Sequence, residues 1–155
     1  MARPAGDRAV VRALAAYVPA GRVDSGELRR HWDPQAPDSA GPPLAVPDFD
    51  EDVVTMAVEA AGRALAAAGV AAEDVGAVVL ATCSAPYGEP SAAGLVARAL
   101  RVPPGCETTT LGGSTRGGLQ ALRCAADAVT AGRAERVLAI AAEDRRGRAG
   151  TALER

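Results

Sequence analysis

The sequence predicts an α/β fold built on a mainly parallel sheet, and three observations carry that prediction. Short apolar runs of strand length alternate with longer alanine-rich segments of helical period. The run Val75 to Thr82 is apolar without alternation, as in a parallel strand covered on both faces. Glycine or proline marks most junctions between these segments. The chain has 155 residues, 48% of them hydrophobic, which is enough for one domain with a buried core. Aromatics make up only 3%, so the core must be packed from Ala, Val and Leu.

The elements follow in order. Ala9 to Tyr17 is apolar and bounded by Arg8 and Pro19, which predicts a strand ending in a turn. Ser25 to about His31 predicts a short helix with Ser25 as its N-cap. Residues 33–47 carry Pro34, Pro37, Pro42, Pro43 and Pro47, so they predict a long irregular connection. Asp48 to Asp52 is acidic and opens a helix, where acids oppose the positive end of the dipole. Val53, Met56, Ala57, Ala60, Ala64 and Ala67 form its expected buried face, and Gly69 stops it.

Ala71 to Asp74 is a turn before the Val75–Thr82 strand. Residues 83–90 form a loop, and Ser91 caps the next helix. Pro103 to Gly105 turns into a β-prone strand at Glu107 to Leu111. Gly112 to Gly118 leads into a long helix that Gly132 closes. Arg136 to Ala142 is the last strand, and Glu143 to Arg148 leaves the sheet charged and exposed. In parallel sheets chemistry gathers at the carboxyl ends of strands. Those ends are the loop at Cys83, the turn at Gly112 to Gly118 and the loop at Glu143.

Composition excludes several classes. The net charge of −2 argues against a nucleic-acid protein. No uninterrupted apolar run reaches the ~18–20 residues that span a bilayer, so no membrane role is expected. The first residues lack a signal-peptide core, which predicts a cytoplasmic protein. Cys83, Cys106 and Cys124 are odd in number and scattered, which excludes a disulfide framework and a CxxC metal site.

The glycine-rich turn is the most informative candidate. It joins a strand to a helix whose free N–H groups point back at it, a position that favours an oxyanion or a phosphate. It is not a Walker A loop, because the chain has no Lys. Ser114 or Thr115 is either a nucleophile on this elbow or a helix cap. Arg116 either contacts a thioester or phosphate or is a solvated side chain. Cys83 is a reactive thiol or a half-buried bystander, and Cys124 is expected in the core. His31 is the only imidazole and lies far along the chain from the turn. The 48–52 acids lack the spaced ligands and glycine of a calcium loop. A free-standing domain binding a nucleotide or phosphate at 112–118 fits the length.

Several stretches together resemble the N-terminal half of thiolase-fold condensing enzymes, above all archaeal-type HMG-CoA synthases and also ketoacyl-ACP synthase III. The most specific is the Asp50–Thr82 string, DEDVVTMAVEAAGRALAAAGVAAEDVGAVVLAT, with Ser84-x-Pro86-Tyr87 after it. The others are AAYVPAGRVDSGELRRHW, GLQALRCAADAVTAGRAERVLAIAAE and GRAGTALE. The resemblance covers nearly the whole chain. It implies one thiolase-like half domain over residues 1–155, with alternating βαβαβαβ order.

It also implies acyl transfer and thioester condensation on acyl-CoA or acyl-ACP, with no bound cofactor. The implied partners are a homodimer mate or a second thiolase-half subunit, and in some relatives an OB-fold protein. Two positions depart from the family. Its nucleophilic Cys falls on Thr115, or on Ser114 if the gap moves by one. Its acid/base Glu falls on Cys83. A hydroxyl needs an adjacent base where a thiol does not. The family's His and Asn come from the second half. The expectation is therefore a fragment or split subunit that is inactive alone, or a non-catalytic scaffold or acyl-CoA-binding subunit. Gly117 and its neighbour Gly118 are expected to permit close helix approach at the site.

Overall fold

A computed structural model describes residues 9–35, 41–86, 88 and 91–144. The chain forms two compact units. The larger holds a three-stranded parallel sheet in the order β4-β3-β5, with β3 at Ala77–Ala81, β4 at Glu107–Leu111 and β5 at Val137–Ala141. Ala77 aligns with Glu107 on one side and Val137 on the other, and the register runs unbroken to Ala81 beside Leu111 and Ala141.

The residues explain this arrangement. Every residue of β3 is buried, and side chains alternate faces along a strand. Val78 and Leu80 therefore face one layer, with Ile140 beside them. That layer is α2 (Val53–Ala68) and α3 (Ala92–Ala99), which contribute Ala57, Ala61, Ala93 and Val96. Val79 and Ala81 face the other layer, packed against Ala121 of α4 (Gly117–Thr130). A strand buried on both faces needs an apolar residue at every position, which is why the pattern in the sequence is continuous. The fully buried alanines Ala57 and Ala93 (both 0% exposed) put backbone close to the sheet.

Helix ends follow local chemistry. Ser91 caps α3, its Oγ accepting from the Gly94 N–H at 3.4 Å. Gly69, at φ +61°, ends α2. The smaller unit pairs β1 (Gly21–Val23) antiparallel with β2 (Leu44–Val46). Its helix α1 spans Ser25–Trp32.

The structure corrects several expectations. Asp24, not Ser25, caps α1: its Oδ1 accepts from the Gly26 and Glu27 amides at 2.8 and 2.9 Å. Ser25 is the first helical residue and donates to the Gly41 carbonyl. Residues 33–47 contain β2, a strand of three exposed residues too short to show a period.

The acids Asp48 to Asp52 precede α2 instead of filling its first turn. They fold on themselves, with the Asp48 N–H donating to Glu51 Oε2 at 2.8 Å. The buried face of α2 uses Ala61, while Ala60 and Ala64 are half-buried and Ala67 is exposed.

Residues 9–17 form no ladder among the described residues, although burial alternates from Ala13 to Val18 as along a strand. Cys124 is half-buried at the rim of the Val79–Ala81 cluster, not in the core. Tyr87, Glu89, Pro90 and the 145–155 tail, with its GRAGTALE string, lie outside the described residues.

Candidate functional site

The carboxyl ends of β3, β4 and β5 lie side by side because the three strands are parallel and in register. This places the loop at Cys83, the glycine turn and Glu143 along one edge of the sheet. Two close approaches bring α4 down onto that edge. A Cβ at Gly117 would lie 3.1 Å from Ala81 Cβ, and one at Gly118 would lie 3.1 Å from Ala141 Cβ. Ala81 and Ala141 are the last residues of β3 and β5. A side chain at either position would crowd these alanines, so glycine eases the close start of the helix at both strand ends.

The elbow itself is self-contained. Gly113 takes φ +72°, in the left-handed region. The Ser114 hydroxyl accepts from the Arg116 N–H at 3.2 Å, and the Ser114 carbonyl accepts from the Gly117 N–H at 3.0 Å. Ser114 thus acts as a local turn cap. Thr115 and Arg116 are exposed. Arg116 is the N-cap of α4 and gives the helix no side-chain bond, since a guanidinium has no acceptor.

The loop after β3 is tied to its neighbour. Thr82 is buried, at 3% exposure. Its N–H donates to the Leu111 carbonyl, and its Oγ1 accepts from the Ser84 N–H at 3.1 Å. The Glu143 carboxylate spans the next two residues. Oε1 accepts from the Cys83 N–H at 2.9 Å, and Oε2 accepts from the Ser84 hydroxyl at 2.9 Å. Cys83 itself is exposed, not half-buried.

Other candidates stand elsewhere. Cys106 lies at the amino end of β4, where burial and then the Glu107 charge push its thiol pKa up. His31 is in the last turn of α1, in the smaller unit, where a basic side chain suits a helix C-terminus. A cavity of about 620 Å3 lies among Val10, Leu14, Leu65, Leu122, Val129 and Leu138. None of the candidate residues lines it. Among the described residues no group of three or more His, Cys, Asp or Glu could hold a metal. No described helix is long and apolar enough to cross a membrane.

Glu143 is the residue whose part the sequence did not reveal. It marked only the end of a strand, and the signal was its place level with Cys83 on a parallel neighbour.

No family model matches the chain. The hydroxymethylglutaryl-CoA synthase of Methanocella arvoryzae is 34% identical over 148 residues, which is 93% of this chain and 42% of that protein. The hydroxymethylglutaryl-CoA synthase of Pyrococcus furiosus is 35% identical over 141 residues, 90% of this chain and 39% of that protein. The chain is a thiolase-fold homologue of these synthases. Solved structures agree on the fold. The 3-oxoacyl-(acyl carrier protein) synthase III of Xanthomonas oryzae superposes with TM-score 0.76 at 24% identity, covering 83% of this chain and 41% of that one. A variant of Xanthomonas campestris OleA gives TM-score 0.75 at 22% identity, with the same two coverages. The chain spans about two fifths of the length of the curated relatives it matches.

Proposed function

We infer that this chain binds acyl-CoA or acyl-ACP thioesters at the carboxyl ends of its parallel strands. It does so as part of a condensing-enzyme-type acyltransferase of the HMG-CoA synthase or ketoacyl synthase III kind. The observation that carries this is the approach of Gly117 and Gly118 to Ala81 and Ala141. It brings the positive end of the α4 dipole to the strand ends, where it can favour charge developing on a thioester carbonyl oxygen. Arg116 stands at the same turn and offers a cation to a phosphate or carboxylate of the ligand.

The chain alone does not carry the acyl group. Among the described residues no base touches Thr115, and Ser114 is engaged as a cap. A hydroxyl without a base is a poor nucleophile. Condensation therefore requires a second subunit or half that supplies an imidazole. Leu119 and Leu122 on α4, 62% and 50% exposed, present an apolar face suited to such a partner. The partner is a second thiolase-type half or another copy of this chain, and light scattering of the purified protein distinguishes these from a monomer.

Acylation tests the site. Purified protein is incubated with acetyl-CoA, and its intact mass and tryptic peptides are measured. The wild-type chain is expected to gain no acyl mass. Thr115→Cys places a thiol at the helix N-terminus, which favours the thiolate, and should gain one acetyl group on its elbow peptide. A Thr115→Cys protein that stays unmodified, or is modified only at Cys106 or Cys124, contradicts the assignment. An acyl adduct on wild-type Thr115, Ser114 or Cys83 would show instead that the chain is competent for the covalent step.

A further inference from the structure

β5 pairs with β3 on one side only. The ladder fixes which of its peptide groups face the other side. The Arg136 carbonyl accepts from the Gly76 N–H at 2.9 Å, and the Ala142 N–H donates to the Ala81 carbonyl at 3.1 Å. In a parallel strand a residue's N–H and C=O share a side, and that side alternates along the chain. Arg136, Leu138, Ile140 and Ala142 therefore face β3. The N–H and C=O groups of Val137, Ala139 and Ala141 face the open edge, where they have no backbone partner among the described residues.

The cavity of about 620 Å3 lies at this edge. Val137 and Ala139 line it, and so do residues 9–14. Those residues form no ladder with β5 among the described residues. They carry Val10 and Leu14, 84% and 89% exposed. Their segment is nonetheless tied to α2, where Arg63 donates to the Ala16 carbonyl at 3.3 Å and lies over the Tyr17 ring. The other walls are Ala64 and Leu65 of α2 and Leu122 and Val129 of α4. These helices cover opposite faces of the sheet. The cavity thus continues the sheet's own layer, with a strand edge at its wall and a helix layer on each face.

We propose that this cavity is a docking slot for one apolar β-strand, supplied by the second thiolase-type half that the proposed function calls for. The proposal rests on that reading and gives the second half a place to engage. A strand there pairs with the outward groups of Val137, Ala139 and Ala141. Its side chains alternate between α2 and α4, so it is apolar at each position, as β3 is. An acyl chain would fill the space but leave those N–H and C=O groups unbonded. A second copy of this chain is a poor source, because its β3 and β5 are already built into its own sheet and its β4 carries Glu107 and three threonines. The curated relatives extend well beyond the matched part, which is 42% and 39% of their lengths.

The probe is a set of overlapping fluorescent peptides tiling the part of the Methanocella arvoryzae synthase outside the matched 148 residues. Anisotropy against the full chain gives binding, and hydrogen exchange read by NMR locates it. In the free protein Val137, Ala139 and Ala141 should exchange faster than Leu138 and Ile140. One peptide window with an uncharged core should bind saturably and slow the three outward amides about tenfold or more. Ala139→Pro removes an outward donor and spares the β3 ladder, so it should weaken binding about tenfold or more while Leu138 and Ile140 stay protected. Ala139→Gly keeps the donor and should bind close to wild type. If Ala139→Pro loses the fold, the wild-type exchange map decides alone. Outward amides already protected in the free protein, or protected only as its concentration rises, would overturn the proposal. So would peptide binding that leaves them unchanged, or no saturable binding. Acetyl-CoA binding is measured on the same protein. If acetyl-CoA binds and no peptide protects the edge, the docking slot falls and the thioester site stands. If neither binds, both fall.

Discussion

The loops that follow β3 and β4 leave the same edge of the same sheet but are held in opposite ways. The elbow after β4 holds itself, with Ser114 bonding Arg116 and Gly117 within one turn and Gly113 bending the backbone. The loop after β3 borrows its support, since Cys83 and Ser84 are both held by Glu143 from β5. A self-supported turn tolerates change at its tip. A loop tied at Cys83 and Ser84 by a carboxylate depends in part on a residue some sixty positions away in the chain.

The largest effect should come from the contact that joins the two regions. Gly117→Val adds a branched side chain where even a Cβ would lie 3.1 Å from Ala81. It should cost about 2 kcal/mol in denaturant unfolding through overpacking. A cost near zero would mean that α4 sits farther from β3 than described.

Next, Glu143→Gln should weaken the bonds to Cys83 and Ser84. Its cost should be about 1 kcal/mol, and the Cys83 amide should exchange hydrogen faster. Ser114→Ala removes one cap-type bond and should cost about 0.5–1 kcal/mol. Thr115→Ala, at the exposed tip, should fall within about 0.5 kcal/mol of wild type. If Thr115→Ala proves costlier than Glu143→Gln, the contrast between a self-held and a borrowed loop fails.

The cysteines give the smallest test. Cys83 is exposed, whereas the pKa of Cys106 is raised above its usual value near 9.0, first by burial and then by Glu107. A raised thiol pKa leaves less thiolate at any pH below it, so iodoacetamide at pH 8 should label Cys83 before Cys106. Glu107→Gln should quicken Cys106 only modestly, because burial is the larger cause.

The parallel sheet was legible in the sequence because β3 is buried on both faces, which forces an apolar residue at each of its positions. The β4 bounds, the Ser91 cap and the Gly69 stop were legible for the same kind of local reason. The β1–β2 pair was not, because three exposed residues carry no period and prolines crowd β2 on both sides. The Asp24 cap was hidden by Ser25, an equally good capping residue one place later. At the site, the elbow could be found from its glycines, but Ser114 showed itself as a cap only through its bond to Arg116. The tie from Glu143 to Cys83 could not be read at all, since it depends on which strands are neighbours and in what register.

The central claim is that a thioester binds where these strands end. Titrating isotopically labelled protein with acetyl-CoA, and following its amide resonances, tests it most directly. Saturable shifts should centre on Cys83, Ser84, Gly117, Gly118 and Glu143. Shifts confined to the cavity beside Leu65 and Leu138, or the absence of saturable shifts, would contradict the account.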